Sequence, residues 1–289
     1  MIENNLLPTV QHTAVRVSTG LVIALTMTFL TPITMAVPTV DLGTATGFSI
    51  LAGSQITDAG SSSVIVTGNV GLYPATGAAI GLTAGQVLGG TIYQAETSGA
   101  LLNTAKNDLT TAYNDAAARS ATVDFGVVDN QLGGLTLFPG VYSFGHAATA
   151  NLIGTLTLDA NGDLNPVWIF QATSDLIAAT GSIVALVNGA AACDVFWQVS
   201  SSATIGTYSN FVGHIMADQS IALQAYATLD GSAMARIAAV TLDHNTITNA
   251  DCADETGVPS VPDTGSTVLL LSAGLMGLLA LGRRSLAHA

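Results

Sequence analysis

The sequence contains one short strand in three versions, Ser202-Ala-Thr-Ile-Gly-Thr207, Ser220-Ile-Ala-Leu-Gln-Ala225 and Ala239-Val-Thr-Leu-Asp243, which begin about 18 residues apart. In each version apolar side chains alternate with small or polar ones, which is typical of a strand with one buried side. A step of this length suits a triangular coil of three short strands. Repetition at this scale predicts stacked coils, each buried only by its neighbours.

The segments upstream continue the pattern. Asp175-Leu-Ile-Ala-Ala-Thr180 is a further version of the short strand, and it follows the longer strand Pro166-Val-Trp-Ile-Phe-Gln-Ala172. Asp194-Val-Phe-Trp-Gln-Val199 resembles that longer strand, and we expect the tryptophans of both, Trp168 and Trp197, to be buried. An immunoglobulin-like sandwich is the competing fold, but it needs clean hairpin turns and more charged outer positions.

One segment, residues 93–118, has the pattern of a helix. It contains no proline, and its apolar residues recur at three- and four-residue spacing on one stripe, namely Leu101, Leu102, Ala105, Leu109, Ala112, Tyr113 and Ala116. The same spacing predicts Lys106 and Asp108 on the opposite side. The fold class is therefore mainly β, with one long helix.

The composition excludes several classes of protein. Of the 289 residues 49% are apolar and 9% charged, whereas soluble domains average about 25% charged residues. Disordered chains combine low hydrophobicity with high charge, so disorder is excluded. Six Lys and Arg against nineteen Asp and Glu give a net charge of −13, which excludes a basic nucleic-acid binder. Between residues 37 and 257 the basic residues are Lys106, Arg119 and Arg236 alone.

Residues 1–36 have the features of a secretory signal peptide. Arg16 supplies a positive charge before the apolar stretch, which consists of residues 20–30. Thr34-Met-Ala36 offers a small-residue cleavage site before Val37. A transmembrane anchor is the alternative, but it needs about 20 apolar residues.

The C-terminal residues 261–289 have the features of a sorting signal. A motif precedes the short apolar transmembrane segment 268–282, which Arg283 and Arg284 follow. The motif consists of Val261, Pro262, Asp263, Thr264, Gly265, Ser266 and Thr267. This tail resembles the PEP-CTERM type of sorting signal of Gram-negative bacteria. The resemblance implies transient passage through the inner membrane, cleavage by an exosortase-type enzyme, and release to the cell surface or exterior. The sortase motif of Gram-positive walls and a plain anchor are the alternatives.

The two cysteines, Cys193 and Cys252, both lie in the body of the chain, residues 37–253, which a linker, residues 254–260, joins to the tail. An exported protein with an even number of cysteines favours a disulfide between them. Two separately buried thiols are the alternative. A zinc site is excluded because no histidine stands at ligand spacing.

The body resembles the microbial ice-binding protein family from about Leu42 to Thr248. The matching segments are Leu42-Gly-Thr-Ala45, Phe48-Ser-Ile-Leu-Ala-Gly53, Val66-Thr-Gly-Asn-Val-Gly71, Asp108-Leu-Thr-Thr-Ala-Tyr-Asn-Asp-Ala-Ala117, Leu132-Gly-Gly-Leu-Thr-Leu-Phe-Pro-Gly-Val-Tyr142, Val167-Trp-Ile-Phe-Gln171, Cys193-Asp-Val-Phe-Trp-Gln-Val199 and Ala239-Val-Thr-Leu-Asp-His-Asn-Thr-Ile-Thr248. The resemblance implies a right-handed, discontinuous β-solenoid of triangular coils, with one long helix packed alongside, and an ice crystal surface as the partner.

The short strands offer a candidate ice-contact face. Period 2 sends Leu176, Ala203, Ile205, Ile221, Leu223, Val240 and Leu242 inward. The first outward row is Ile177, Thr204, Ala222 and Thr241, and the second is Ala179, Gly206, Gln224 and Asp243. We expect Thr180, Thr207 and Thr246 at the edge of this face, and Val64–Asn69 as an extension of it. Ala222, Gln224 and Asp243 stand where strongly active family members often have threonine or another small residue, which predicts moderate activity.

Enzymatic chemistry finds little support. Asp124 and Asp129 read as turn acids, and Asp159-Ala-Asn-Gly-Asp163 reads as a tight turn between coils. His146, His214 and His244 lie on separate segments, each predicted as a surface or turn residue. We therefore expect a monomeric protein without catalytic activity, cofactor or metal. The rival interpretation is a surface adhesin or glycan-binding matrix protein, for which exposed Tyr208 and Tyr226 would supply stacking surfaces.

Overall fold

The computed structural model describes residues 37–126, 130–145 and 148–250. The predicted signal peptide, linker, sorting motif and apolar segment 268–282 lie outside these residues, as do Cys252, Asp129 and His146. The pairing of Cys193 therefore stays a prediction. Within the described ranges, no helix has the length and hydropathy that a bilayer crossing requires.

The described ranges contain many short strands and one long helix. Before the helix the strands are β1 Phe48–Ala52, β2 Ile56–Asp58, β3 Val64–Ile65, β4 Asn69–Leu72 and β5 Ile92–Gln94. The helix α1 spans Ala95–Ala118. The strands after it are β6 Val123–Asp124, β7 Thr136–Leu137, β8 Gly140–Phe144, β9 Ala150–Leu152, β10 Thr155–Asp159, β11 Trp168–Ala172, β12 Leu176–Ala178, β13 Ile183–Val187, β14 Val195–Val199, β15 Ala203–Ile205, β16 Asn210–Ala217, β17 Ile221–Leu223, β18 Thr228–Ala235, β19 Val240–Leu242 and β20 Thr246–Thr248. Short 3-10 turns lie at Gly43–Gly47, Gly77–Ala79, Ala84–Gln86 and Ala192–Asp194.

The strands form three parallel ladders, which we call faces A, B and C. Face A runs in the order β5-β4-β1-β18-β16-β14-β11-β8-β6, and face B in the order β2-β19-β17-β15-β12-β9. Face C consists of β7, β10, β13, the first residues of β16 and β18, β20 and β3. Strands β16 and β18 leave face C and enter face A next to Gly213 and Gly231, whose φ angles of 106° and 151° suit glycine. The predicted β-solenoid is confirmed.

The coils do not stack in chain order. The first coil, with β1 and β2, lies against the last coil, with β18 and β19, through pairs such as Ile56 with Val240. Strands β4 and β5 continue outward from β1, and the chain then returns through α1 to β6 at the opposite end of face A. This is the discontinuous arrangement that the resemblance implied.

The long helix matches the length of the stack. At 1.5 Å per residue its 24 residues span about 36 Å. The nine strands of face A are separated by eight steps of about 4.8 Å, or about 38 Å in all. Its stripe packs on the outer side of face A, against Phe48, Leu51, Ile169, Phe196 and Met216. The helix therefore connects the two ends of the solenoid while covering one face.

The structure corrects three details of the predicted helix. It begins at Ala95, because Tyr93 pairs with Gly71 in face A. Leu101 is exposed although the stripe includes it, since Leu102 takes the contact with the sheet. Lys106 is buried, not solvent-facing, because its Nζ donates to the carbonyl oxygens of Ala235 and Arg236, both at 2.7 Å.

The interior of the solenoid holds a second core. Ring stacking runs across the coils from Phe125 through Tyr142 and Phe170 to Trp197, and Phe211 packs on Trp197 with its ring tilted by 44°. Trp168 and Trp197 are fully buried, as expected, and their indole N–H groups donate to the carbonyl oxygens of Leu137 and Val212. The aromatic stack makes neighbouring coils difficult to shift, which favours a rigid outer surface.

Candidate functional site

Face B is a regular ladder of six parallel strands with one buried side. All seven side chains predicted to point inward are buried, namely Leu176, Ala203, Ile205, Ile221, Leu223, Val240 and Leu242. Their packing holds the outward positions at a fixed spacing, because a close-packed core has low compressibility. The alternation predicted from the sequence is therefore confirmed.

The middle outward row of face B is continuous and uncharged. Hydrogen-bonded register aligns six residues in space, in the order Asn151, Ile177, Thr204, Ala222, Thr241 and Thr57. Four of them belong to the predicted first row. Successive members are about 4.8 Å apart, the spacing of neighbouring strands. The row therefore presents methyl, hydroxyl and amide groups at one repeat.

Sequence reasoning missed the two ends of this row. Thr57 lies in β2, which the discontinuous stacking places beside β19, although Ile56-Thr-Asp58 resembles Val240-Thr-Leu242 in its alternation. Asn151 in β9 follows the same alternation between buried Ala150 and Leu152. The predicted extension through Val64–Asn69 is wrong, because β3 pairs with β20 in face C.

The second predicted row is less uniform. Ala179 and Asp243 are half-buried and Gln224 is exposed, but Gly206 is buried. A side chain at Gly206 would meet backbone atoms of the adjacent coil, with the carbonyl carbon of Ala179 and the amide nitrogen of Thr180 both 2.6 Å from its Cβ. Gly206 therefore serves the contact between coils and offers no outward group.

The predicted edge residues separate into two places. Thr180 and Thr207 flank face B, and the Thr207 Oγ1 lies 3.5 Å from Oε1 of Gln224 on the next coil. Thr246 lies on face C instead, paired with Thr228 and Val64. The reason is the turn at His244, whose φ of 54° redirects the chain before Thr246.

A turn residue with positive φ separates faces B and C on successive coils. Gly181, Tyr208, Tyr226 and His244 have φ angles of 71°, 57°, 60° and 54°, and we call these four residues the corner ladder. Tyr208 and Tyr226 are 63% and 49% exposed, as the adhesin interpretation required, but their rings stack on each other. His244 stacks on the other side of Tyr226 and bonds to Asp243 Oδ1 at 2.6 Å. Both ring faces of Tyr226 and one ring face of Tyr208 are therefore covered by aromatic neighbours.

Acidic groups near face B are tied to the backbone. Asp175, just before β12, accepts a hydrogen bond from the backbone N–H of Ser202, and that bond lowers the pKa of its carboxyl group. Asp58, at the end of β2, accepts bonds from the backbone and side chain of Ser63 and from Gln86. Both carboxylates are therefore engaged by neighbouring chain segments, and neither belongs to the middle row.

The described residues contain no cluster of three or more His, Cys, Asp or Glu that could hold a metal ion.

His214 was expected at the surface or in a turn, and the structure places it in the interior, 2% exposed, because its ring packs on Phe196. Its Nδ1 lies 2.5 Å from the Ser232 hydroxyl, and burial lowers its pKa to about 4. Ser232 is fully buried. The turn at Asp159–Asp163 is confirmed: Asp159 Oδ1 accepts the N–H of Asn161, whose φ is positive.

Fold and face together define a parallel β-solenoid with a flanking helix and a regular, uncharged outward row on face B. A family model described as ice-binding-like matches residues 50–248. The chain belongs to this ice-binding-like family.

Individual relatives agree with the family match. The ice-binding protein of Nostoc sp. (strain HG1) is 40% identical over 239 residues, covering 82% of this chain and 84% of the relative. The ice-binding protein of Colwellia sp. is 38% identical, covering 72% of this chain and 83% of the relative. The crystal structure of an ice-binding protein from an Antarctic biological consortium superposes with a TM-score of 0.66 at 39% identity, covering 74% of this chain and 93% of that one.

Proposed function

We propose that this protein binds ice through face B and so restrains the growth and recrystallisation of ice crystals. The observation that carries the proposal is the six-membered uncharged row through Thr204 and Thr241, held at one repeat by a buried core. An ice surface is a periodic array of neutral water molecules. A matching surface therefore needs regular spacing and rigidity, and it gains nothing from charge.

The chemistry of the row suits this role. Threonine and alanine methyl groups favour ordered water over them, while hydroxyl and amide groups join that water by hydrogen bonds. A carboxylate would hold its own hydration shell against such order. Gln224 and Asp243, beside the row, carry more strongly hydrated polar groups than the methyl and hydroxyl groups of the row, so we expect moderate activity. The role needs adsorption alone, so we propose a protein without catalytic activity.

We further propose that the protein acts outside the cell. Residues 1–36 would direct export, and residues 261–289 would be recognised by an exosortase-type enzyme while residues 268–282 lie in the inner membrane. The sequence features of both ends support this route. Mass spectrometry of protein recovered from the medium tests it: the expected mass lacks both ends, and recovery of the intact chain in the membrane fraction would contradict it.

Ice recrystallisation and thermal hysteresis of the purified protein test the main proposal. We expect small ice grains to persist and a freezing point below the melting point, and normal coarsening of grains would contradict ice binding. Thr241→Asp, which puts a carboxylate in the middle row, should lose most of the activity while the fold persists, because Thr241 is exposed. Asn103→Asp, the same charge on the exposed side of α1, is the matched control.

The alternative is a glycan-binding surface protein, and the observation in its favour is the exposed pair Tyr208 and Tyr226. A glycan array run in parallel with adsorption to ice separates the two roles. Glycan retention that Tyr208→Ala removes, without adsorption to ice, would favour the alternative.

A further inference from the structure

Face C carries outward rows of the same kind as face B. Its register aligns six residues in space, in the order Thr155, Ile183, Asn210, Thr228, Thr246 and Val64. Five of the six are exposed and Val64 is half-buried. Between them and the next outward positions lie buried residues that hold the row in place, namely Leu156, Val184, Phe211, Leu229, Ile247 and Ile65.

Charge is nearly absent from this surface. None of the six residues in the row is ionisable, although the chain has nineteen acidic residues. The parallel row beyond it includes Thr157 and Ala185, which pair with each other, and the paired series Val212, Asp230 and Thr248. Asp230 is the one acidic residue among these five. Asp159, at the end of β10, is a further acidic residue of face C, as Asp58, at the end of β2, is of face B. The two faces are therefore about equally poor in charge, since Asp243 stands in the second row of face B.

Exposed threonines alone would not distinguish face C, because threonine fits any half-exposed strand. The row is also linked between coils, since the Thr228 hydroxyl donates to Asn210 Oδ1 at 2.9 Å. The linkage runs along the stack, as does the contact of Thr207 with Gln224 on face B, although the two hydroxyl groups donate in opposite directions. The residues 210, 228 and 246 are equivalent positions on successive coils, so both faces share one axial repeat.

The two faces meet at the corner ladder. The chain turns from face B to face C within a few residues, for example from Ile205 through Tyr208 to Asn210. The two surfaces therefore point in different directions on one rigid body. Each row has three threonines and one asparagine, but they occur in a different order, and face B includes Ala222 whereas face C includes Val64. The two faces therefore present different patterns along the same repeat.

We propose that face C is a second ice-contact surface, which adsorbs to a crystal plane other than the one that face B binds. This inference rests on the proposed function and extends it. Adsorption on two non-parallel planes lets one molecule occupy a corner where a growing layer meets the crystal. Loss of one face should therefore narrow the set of planes that the protein covers and leave adsorption through the other.

Fluorescently labelled protein on a single-crystal ice hemisphere tests the inference, together with thermal hysteresis. The variants are Thr204→Tyr on face B, Thr228→Tyr on face C and the double variant. Thr104→Tyr on the exposed side of α1 is the matched control. Each face variant should lose the label from a different plane and part of the hysteresis, and the double variant should lose both. The control should retain the original pattern.

Two results would overturn the inference. One is a Thr228→Tyr variant that behaves like the control, and the other is a Thr204→Tyr variant that alone removes all adsorption. Thr246→Tyr repeats the face C test one coil further along, in case Thr228→Tyr fails to fold. Failure of the proposed function looks different, because the unsubstituted protein would then leave the whole hemisphere unlabelled.

Discussion

Tyr226 stacks on Tyr208 with the ring centroids 5.1 Å apart and the ring planes 6° from parallel. Both residues have a positive φ, which costs a residue with a Cβ atom about 1 kcal/mol or more. Aromatic contacts of this kind contribute about 0.5 to 1.5 kcal/mol each. The stacking therefore offsets part of the backbone strain at the edge where faces B and C meet.

Replacement of Tyr226 separates these two effects. Tyr226→Ala loses the contacts with Tyr208 and His244 and keeps the strained φ, so it should lower the free energy of unfolding by about 1 to 2 kcal/mol. Tyr226→Gly loses the same contacts but relieves the strain, so it should be more stable than Tyr226→Ala by about 1 kcal/mol. Urea unfolding measures both. Equal stability of the two variants would mean that the strain is negligible.

Gly206→Ala should destabilise the protein by about 1 to 3 kcal/mol. The new Cβ would meet backbone atoms of Ala178, Ala179 and Thr180 at 2.6 to 2.7 Å, and backbone cannot yield as a flexible side chain can. Gly85→Ala is the control, because the nearest atom to its Cβ position is the Thr83 hydroxyl at 4.0 Å. Thermal unfolding compares them, and an unchanged melting temperature for Gly206→Ala would refute the tight contact.

His214 should make the protein sensitive to acid. Its pKa is lowered from 6.5 to about 4, so between these values the unfolded chain takes up a proton that the folded protein excludes. Stability from this group is present above pH 6.5 and is lost as the pH falls toward 4, by up to about 3 kcal/mol. Asp194 acts in the opposite sense, because burial raises its pKa to about 6 and its contribution grows as the pH falls.

Urea unfolding at pH 7 and pH 4.5 of the unsubstituted protein and of His214→Gln isolates the histidine, since Asp194 is common to both. The variant should lose less stability on acidification. His244→Gln, which removes a more exposed histidine, is the control for histidine removal. An identical loss in His214→Gln and the unsubstituted protein would contradict the assignment.

Lys106 should make the protein more stable at alkaline pH. Burial, and secondly the charge of Arg236, lower its pKa from 10.5 to about 8, so the folded protein binds fewer protons than the unfolded chain between these values. Stability therefore rises as the pH increases from 8 toward 10.5. Above pH 10 the rise meets an opposite trend, because burial raises the pKa of Tyr142 to about 12.

Lys106→Met tests this assignment. The variant should show no rise between pH 7.5 and pH 9.5 in urea unfolding. At neutral pH it also leaves the carbonyl oxygens of Ala235 and Arg236 without their donor, which costs about 1 to 3 kcal/mol. A variant with the same alkaline rise as the unsubstituted protein would show that another group is responsible.

Local patterns predicted the strands of face B because alternation is a property of neighbouring residues. Leu176, Ile221 and Val240 could be assigned to the core from period 2 alone. The same rule failed at Gly206, which is covered by the backbone of another coil, and at Thr246, which a turn with positive φ carries to face C.

Contacts distant in sequence account for the remaining errors. Lys106 is hydrophilic by type, and its burial depends on two carbonyl groups about 130 residues further along the chain. Thr57 joins the middle row because β2 pairs with β19, and neither segment contains a signal that selects the other. Only the resemblance to a known family implied discontinuous stacking, and even so it did not identify Thr57.

The contact between the first and last coils also constrains the order in which the protein can be assembled. The backbone N–H of Asn245 donates to the hydroxyl of Ser63, 182 residues earlier, so the earliest coil to be synthesised finds its neighbour last. Closing so long a loop is slow, and strand edges left open meanwhile invite pairing with other chains. A chain that is synthesised from its N-terminus cannot complete the stacking of its coils one after another. The contact between the first and last coils can form only after the whole body has been synthesised.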